Sequence, residues 1–245
     1  LSTILGQDNL TDDQRRGVDW VIASEIEFEA AADLYELSLH YWDEDDAFNG
    51  EDVLFPDGYV QIARELAAGL EIRLSHVVSE IAHEEQGVVV TTDCGEFRGQ
   101  RTVITLPLGI LRAGSVTFTP VLPASKQNAI HRLDMGTLNK LAMRFDHRFW
   151  PNEKHFLGYL KEGADDAISF LNLFPYSGKN LLLGFVSGTH ARSWEQNSAS
   201  AVVDEAMWHL RGMFGNSIPM PTASTFTKWH SDPFSRGSYS HVPPG

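Results

Sequence analysis

A primary amine able to hold or release a proton sits at Lys140, within Asp134-Met135-Gly136-Thr137-Leu138-Asn139-Lys140-Leu141-Ala142-Met143-Arg144-Phe145-Asp146. A glycine-bearing loop delivers it to an alternating apolar run, so the pattern puts it where a strand begins. Leu141, Met143 and Phe145 share one face of that strand; Lys140, Ala142 and Arg144 share the other. Two readings compete. Lysine is mostly exposed in folded proteins, which favours a solvated strand-end charge; the other reading is a proton-handling group that faces a cofactor. The acidic run at Asp43, Glu44, Asp45 and Asp46 is equally double: a solvated charge cluster at a helix end, or a rim that draws in a cation. It is not a calcium loop. Counting from Asp43, Phe48 stands where glycine is needed and Leu54 where a bidentate glutamate is needed.

Other chemistry is missing from the sequence. There is no G-x-G-x-x-G, no G-x-x-x-x-G-K-[ST] and no G-x-S-x-G, so neither a phosphate cradle nor a nucleophile elbow is visible. Ten histidines are scattered without H-E-x-x-H or a close pair, and no metal site is expected. The net charge of -14, from 33 acids against 19 bases, argues against a nucleic-acid surface. It suits cationic ligands, and it also suits solubility alone. Cys94 is the single cysteine, which excludes an intramolecular disulfide. No apolar run reaches membrane-spanning length, and a cytoplasmic protein is expected, with a nuclear or other intracellular location as the alternative. Leu1 follows no initiator Met, and the chain stops at Val242-Pro243-Pro244-Gly245, so both ends read as cut from something longer.

These residues need elements to position them. Thr11-Asp12-Asp13-Gln14 has the capping-box form and opens a helical region over residues 10–50, read as two helices broken near Asp33. Phe55-Pro56-Asp57-Gly58-Tyr59 is a turn that opens a short helix through Ala68. The period then becomes two. Strands are expected at 72–74, 77–83, 87–92 and 102–106, followed by a loop from Pro107 to Pro123 and a helix over 124–133. Further strands are expected near 138–145, 156–160, 168–174, 181–187 and 224–229, with a helix over 200–213. Helices and strands alternate without a strict βαβ rhythm, so the fold class is α+β, a mixed sheet flanked by helices.

Five segments, in order, resemble the flavin-containing amine oxidases, and most closely the branch of polyamine oxidases and lysine-specific histone demethylases. They are Leu54-Phe55-Pro56-Asp57-Gly58-Tyr59, Glu71-Ile72-Arg73-Leu74, Thr105-Leu106-Pro107-Leu108-Gly109-Ile110-Leu111, Gly136-Thr137-Leu138-Asn139-Lys140, and the stretch from Trp229 to Ser240. Leu37-Ser38-Leu39-His40-Tyr41-Trp42-Asp43-Glu44-Asp45-Asp46 supports the branch. The resemblance implies a substrate domain at 1–52 and 112–228, with 53–111 and 229–245 belonging to an FAD-binding domain. The Gly-rich N-terminal FAD motif and the C-terminal flavin segment of the family are not in this sequence. The chain therefore looks like an interior fragment, expected to be inactive alone.

By the same resemblance, Lys140 faces the flavin N5 and holds a water there, while an amine gives a hydride equivalent to FAD and O2 is reduced to hydrogen peroxide. Val78 matches a strand position at the adenine end of FAD. Thr105, Leu106 and Pro107 match a segment that passes close to the cofactor, and Trp229 and Phe234 match aromatics beside the isoalloxazine. Tyr239 lies where the family chain re-enters the FAD domain. Asp43, Asp45 and Asp46 match positions at the substrate entrance. Each has a plainer reading: core for Val78, a strand end for Thr105 to Pro107, buried aromatics for Trp229 and Phe234. The expected partners are a small cationic, polyamine-like amine and O2, with no nucleic acid and no membrane. Two other readings stay open: an oxidase of amino acids or aromatic monoamines, and a non-catalytic module that binds basic peptides or polyamines. Arg144 and Arg148 do not obviously serve the carboxylate that the first would need.

Overall fold

The computed structural model describes residues 10–41, 50, 53–55, 58–159 and 168–245. Its helices are α1 (Asp12–Val21), α2 (Phe28–Ala30), α3 (Val60–Ala67), α4 (Leu108–Ala113), α5 (Ala124–Arg132), α6 (Phe174–Ser177), α7 (Gly188–Gln196) and α8 (Ala199–Phe214). Its strands are β1 (Val78–Glu84), β2 (Gly87–Thr92), β3 (Gly95–Gly99), β4 (Thr117–Thr119), β5 (Asp134–Met135), β6 (Leu138–Arg144), β7 (Phe156–Tyr159), β8 (Ile168–Asn172), β9 (Leu181–Ser187), β10 (Ala223–Phe226) and β11 (Ser240–His241). The class is α+β. The chain divides into two compact units, one of residues 1–42, 135–232 and 237–245, the other of 43–134 and 233–236.

The first unit is built on a five-stranded sheet ordered β10-β6-β9-β8-β7. Its four pairings are all antiparallel. Alternation sorts its two faces. Leu141, Met143, Leu182, Val186, Ile168 and Phe170 point to one side and join Ala191 and Trp194 of α7 and Val202, Ala206, Met207 and Leu210 of α8 in the main core. Every one of these is essentially without solvent contact, as two-layer packing requires. The opposite face carries Leu138, Lys140, Phe185, Leu171 and Ser169, and here a smaller cluster forms around Ala31, Leu138, Leu171 and Phe185, with Phe28 against it. Phe28 reaches the sheet from the helical arm of residues 12–30 and meets Phe185 edge to face, centroids 5.0 Å apart.

That arm begins with the expected capping box. The Thr11 hydroxyl accepts the Gln14 amide at 3.3 Å, and Gln14 Oε1 accepts the Thr11 amide at 3.0 Å. After α1 the chain widens into a π-helical stretch, Ile22–Glu27, and then closes as α2. The break falls at Ala31, which adopts a left-handed conformation (φ 55°), rather than at Asp33. Asp33 instead caps a single 3-10 turn, Leu34–Glu36, in a second capping box with Glu36.

The second unit holds a four-stranded sheet, β3-β2-β1-β4, with β1 and β4 parallel. The hairpin reversals fall at residues 85–86, between the strands expected at 77–83 and 87–92, and at 93–94, before β3, a strand outside the expected ones. Two expected strands are corrected. Residues 72–74 and 102–106 form no strand among the described residues. Ile72, Leu74 and Val103 are 55%, 79% and 88% exposed, so the alternation is present without the neighbouring strand that would complete a ladder. The expected loop from Pro107 to Pro123 also needs correction, for it contains α4 and β4. Pro107 caps α4, its carbonyl accepting the Ile110 and Leu111 amides at 3.0 and 3.2 Å, and Gly114 ends it in a left-handed conformation.

Candidate functional site

Lys140 is the third residue of β6, half-buried, on the face turned away from the main core. Its cross-strand partner is Phe185, and its Nζ stands 5.7 Å from the centre of that ring. The strand is delivered by Gly136, where a Cβ would run into the Ala31 carbonyl. The close approach is used. The Thr137 amide donates to Ala31 O at 2.6 Å, the Gly136 amide to Tyr239 O at 2.7 Å, and the Ser238 amide to Gly136 O at 2.9 Å. Predicted residue Tyr239 thus meets the chain just before β6 through its backbone, with its side chain largely exposed.

Asn139 precedes Lys140 and so points to the opposite face, into the core, with no solvent contact. Its carboxamide uses all its capacity. Nδ2 donates to Ala191 O at 3.1 Å and to Glu195 Oε1 at 2.8 Å, while Oδ1 accepts the Thr227 hydroxyl at 3.0 Å and the Trp229 amide at 3.2 Å. Glu195, in the last turn of α7, accepts the His230 amide at 2.9 Å and the Ser231 amide at 2.7 Å. Lys140 closes the circuit through its backbone: its amide donates to the Thr227 hydroxyl at 2.9 Å and its carbonyl accepts the Thr227 amide at 3.0 Å. The backbones of predicted residues Lys140 and Trp229 are therefore linked by one network, with Trp229 as a residue 40% exposed. Partial burial pushes the Glu195 carboxyl up, but the hydrogen bonds from Asn139, Ser231 and the His230 amide outweigh it and hold its pKa below the ordinary value.

On the Lys140 face lies a cavity of about 500 Å³ between the helical arm and the sheet. Phe28, Phe185 and Ser169 wall it, and Asp19, Glu27 and Asp33 give it an acidic lining. Two of these acids also build the scaffold. Glu27 accepts the Leu34 amide at 2.8 Å, and Asp33 accepts the Thr189 amide at 3.0 Å and the Tyr35 hydroxyl at 2.9 Å. Asp33 thereby places negative charge at the first turn of α7, where the helix dipole favours it. His190, also on the cavity, bonds through Nε2 to Glu205, which receives the Trp194 indole N–H at 3.1 Å. Burial raises the Glu205 pKa, but the His190 hydrogen bond and charge, with help from Trp194 and His209, bring it below the ordinary value.

The remaining predicted residues belong to the second unit. Thr105, Leu106 and Pro107 lead into α4, with Thr105 exposed and Leu106 and Pro107 half-buried. Gly109 has no room for a Cβ because the carbonyls of Ser235 and Arg236 lie against it, which joins this segment to the loop of Phe234. Phe234 itself is 63% exposed. Val78 opens β1 opposite Thr92, beside a break in register, and is half-buried. Asp43, Asp45 and Asp46 lie outside the described residues. Sequence reasoning missed Asn139, Glu195, Thr227 and the acids of the helical arm. Asn139 alone carried a signal, a polar residue on the apolar side of the β6 alternation.

A family model described as flavin containing amine oxidoreductase matches residues 6–245. Among curated relatives, the rice (Oryza sativa subsp. japonica) lysine-specific histone demethylase 1 homolog 1 is 35% identical over 238 residues, covering 94% of this chain and 28% of that protein. Polyamine oxidase 4 of the same organism is 40% identical over 211 residues, covering 86% and 43%. The chain thus spans less than half the length of either. Among solved structures, cyclohexylamine oxidase from Brevibacterium oxydans IH-35A superposes with a TM-score of 0.68 at 20% identity, over 100% of this chain and 56% of that one.

Proposed function

Because the chain belongs to the flavin containing amine oxidoreductase family, we propose that the complete protein oxidises a C–N bond of a polyamine-like amine, with FAD as cofactor and O2 as terminal acceptor. The observation that supports this substrate is the cavity on the Lys140 face. Asp19 and Glu27 attract a cationic amine, Asp33 being already paired with Arg192 at 3.4 Å, and Phe28 and Phe185 give the cavity an apolar wall. Desolvation against that wall disfavours the charged form and so works toward the reactive neutral amine, against the carboxylates that drew the cation in. When bound, flavin supplies the two-electron acceptor. The residues present fit it: Lys140 offers a half-buried ammonium on the same row as Phe185, and Trp229 a partly exposed aromatic residue. Lys140 holds a water at Nζ and stabilises negative charge that develops near it.

On this reading, residues 1–52 and 112–228 form the substrate domain, and 53–111 and 229–245 belong to the FAD domain. Val78, Thr105, Leu106, Pro107, Phe234 and Tyr239 then serve the cofactor, while Asp43, Asp45 and Asp46 edge the substrate entrance. A second reading draws support from the 35% identity to a protein named as a histone demethylase: the amine would be a methylated lysine on a basic peptide.

The test is anaerobic mixing of the full-length FAD-loaded protein with spermine or a dimethyl-lysine peptide, following absorbance near 450 nm. Bleaching by spermine is expected, with peroxide released on readmitting air. Bleaching by the peptide alone would move the proposal to the second reading, and no bleaching by either would end both. Lys140→Met should slow the cycle by about 10²–10³-fold while changing amine affinity little.

A further inference from the structure

Three consecutive amides, those of Trp229, His230 and Ser231, point at two side chains, Asn139 and Glu195. We propose that Asn139 and Glu195 are positioning residues that clamp the turn carrying Trp229 to the strand position beside Lys140. The clamp belongs to this chain's own residues. Only its consequence for turnover rests on the reading of Lys140 and Trp229 as flavin-facing groups.

Helix α7 gains nothing from Glu195. A carboxylate in the last turn faces the negative end of the helix dipole, so it is unfavourable for the helix itself. Its favourable contacts all run the other way, to donors. Its oxygens take the His230 and Ser231 amides and Asn139 Nδ2, and its backbone carbonyl takes Lys228 Nζ at 3.1 Å. A glutamine in its place would offer one accepting oxygen and turn an N–H against an N–H. Asn139 is equally specific, because two donors and two accepted bonds are needed at once from a side chain with no access to water. Since Asn139 and Lys140 are successive residues on opposite faces of β6, the anchor fixes the strand from the core side. The ammonium remains on the Phe185 side. Thr227 links both: its hydroxyl accepts from Lys140 N and donates to Asn139 Oδ1.

The experiment compares Glu195→Gln and Asn139→Ser with the parent in the full-length FAD-loaded protein, by deuterium uptake of peptides covering 227–231 and α8. Loss of the charged Glu195 acceptor in one variant, and of the Asn139 carboxamide in the other, should speed exchange at 229–231 by about ten-fold or more, with α8 unchanged. In turnover the expected signature is a fall in kcat with KM nearly constant, and a shift in the flavin absorption band. Unchanged protection at 229–231 would overturn the clamp, and so would protection lost equally from α8, which marks a merely structural role. Faster exchange at 229–231 with parental kcat and flavin spectrum would uphold the clamp and instead refute the flavin-facing reading of Trp229.

Discussion

Glu195 and Glu205 flank Trp194 on α7 and α8, and each keeps its charge in a partly buried setting by gathering donors. Both carboxyls have folded pKa values below the ordinary 4.5. The sign follows from linkage: the unfolded chain binds these protons more readily, so acid favours unfolding. Their contribution is fully present above pH 4.5 and is lost as the pH falls through the lowered folded values. Urea titrations at pH 7 and in the acid range should show parent stability dropping below that point. Glu195→Gln should start less stable at pH 7 and drop less steeply. A variant with the parental acid slope would mean that Glu195 titrates as it does in the unfolded chain.

The strand β6 shows how much of an element the residue pattern reveals. Its alternation put Leu141, Met143 and Phe145 on one side, and all three are buried. Strand β9 follows its expected limits, and α8 extends the expected helix by one residue at each end. Legibility ended where a pattern depends on a partner. Residues 72–74 and 102–106 alternate like strands yet pair with nothing described, and α7 starts straight from the end of β9 with no polar loop to announce it. Asn139 and Glu195 are ordinary polar residues 56 positions apart, and no local period links them. The entry to β6 was visible as a glycine loop, but not the carbonyl it makes room for. Gly136→Ala should cost about 1–3 kcal/mol through that clash, read as a lower midpoint in thermal unfolding. A neutral effect would show that the Ala31 backbone yields without consequence.

At the scale of the whole molecule, the charge of -14 and the acidic lining of the cavity have the same sign. Attraction of a polycation should weaken as salt shortens the reach of the field. In the full-length protein KM for spermine should rise about five-fold between low and high ionic strength, with kcat nearly constant. A salt-independent KM would place the binding energy in apolar contact alone. The first unit is assembled from three separated stretches, with 43–134 intervening between the helical arm and its sheet. Thr137 bonds to Ala31, and Ser238 to Gly136, only after most of the chain exists. On the ribosome, therefore, the arm of residues 12–30 must wait, its Phe28 without Phe185, while roughly 150 further residues are synthesised. In that interval the growing chain exposes the very surface that later lines its cavity, which makes the order of synthesis a hazard for chaperones to manage.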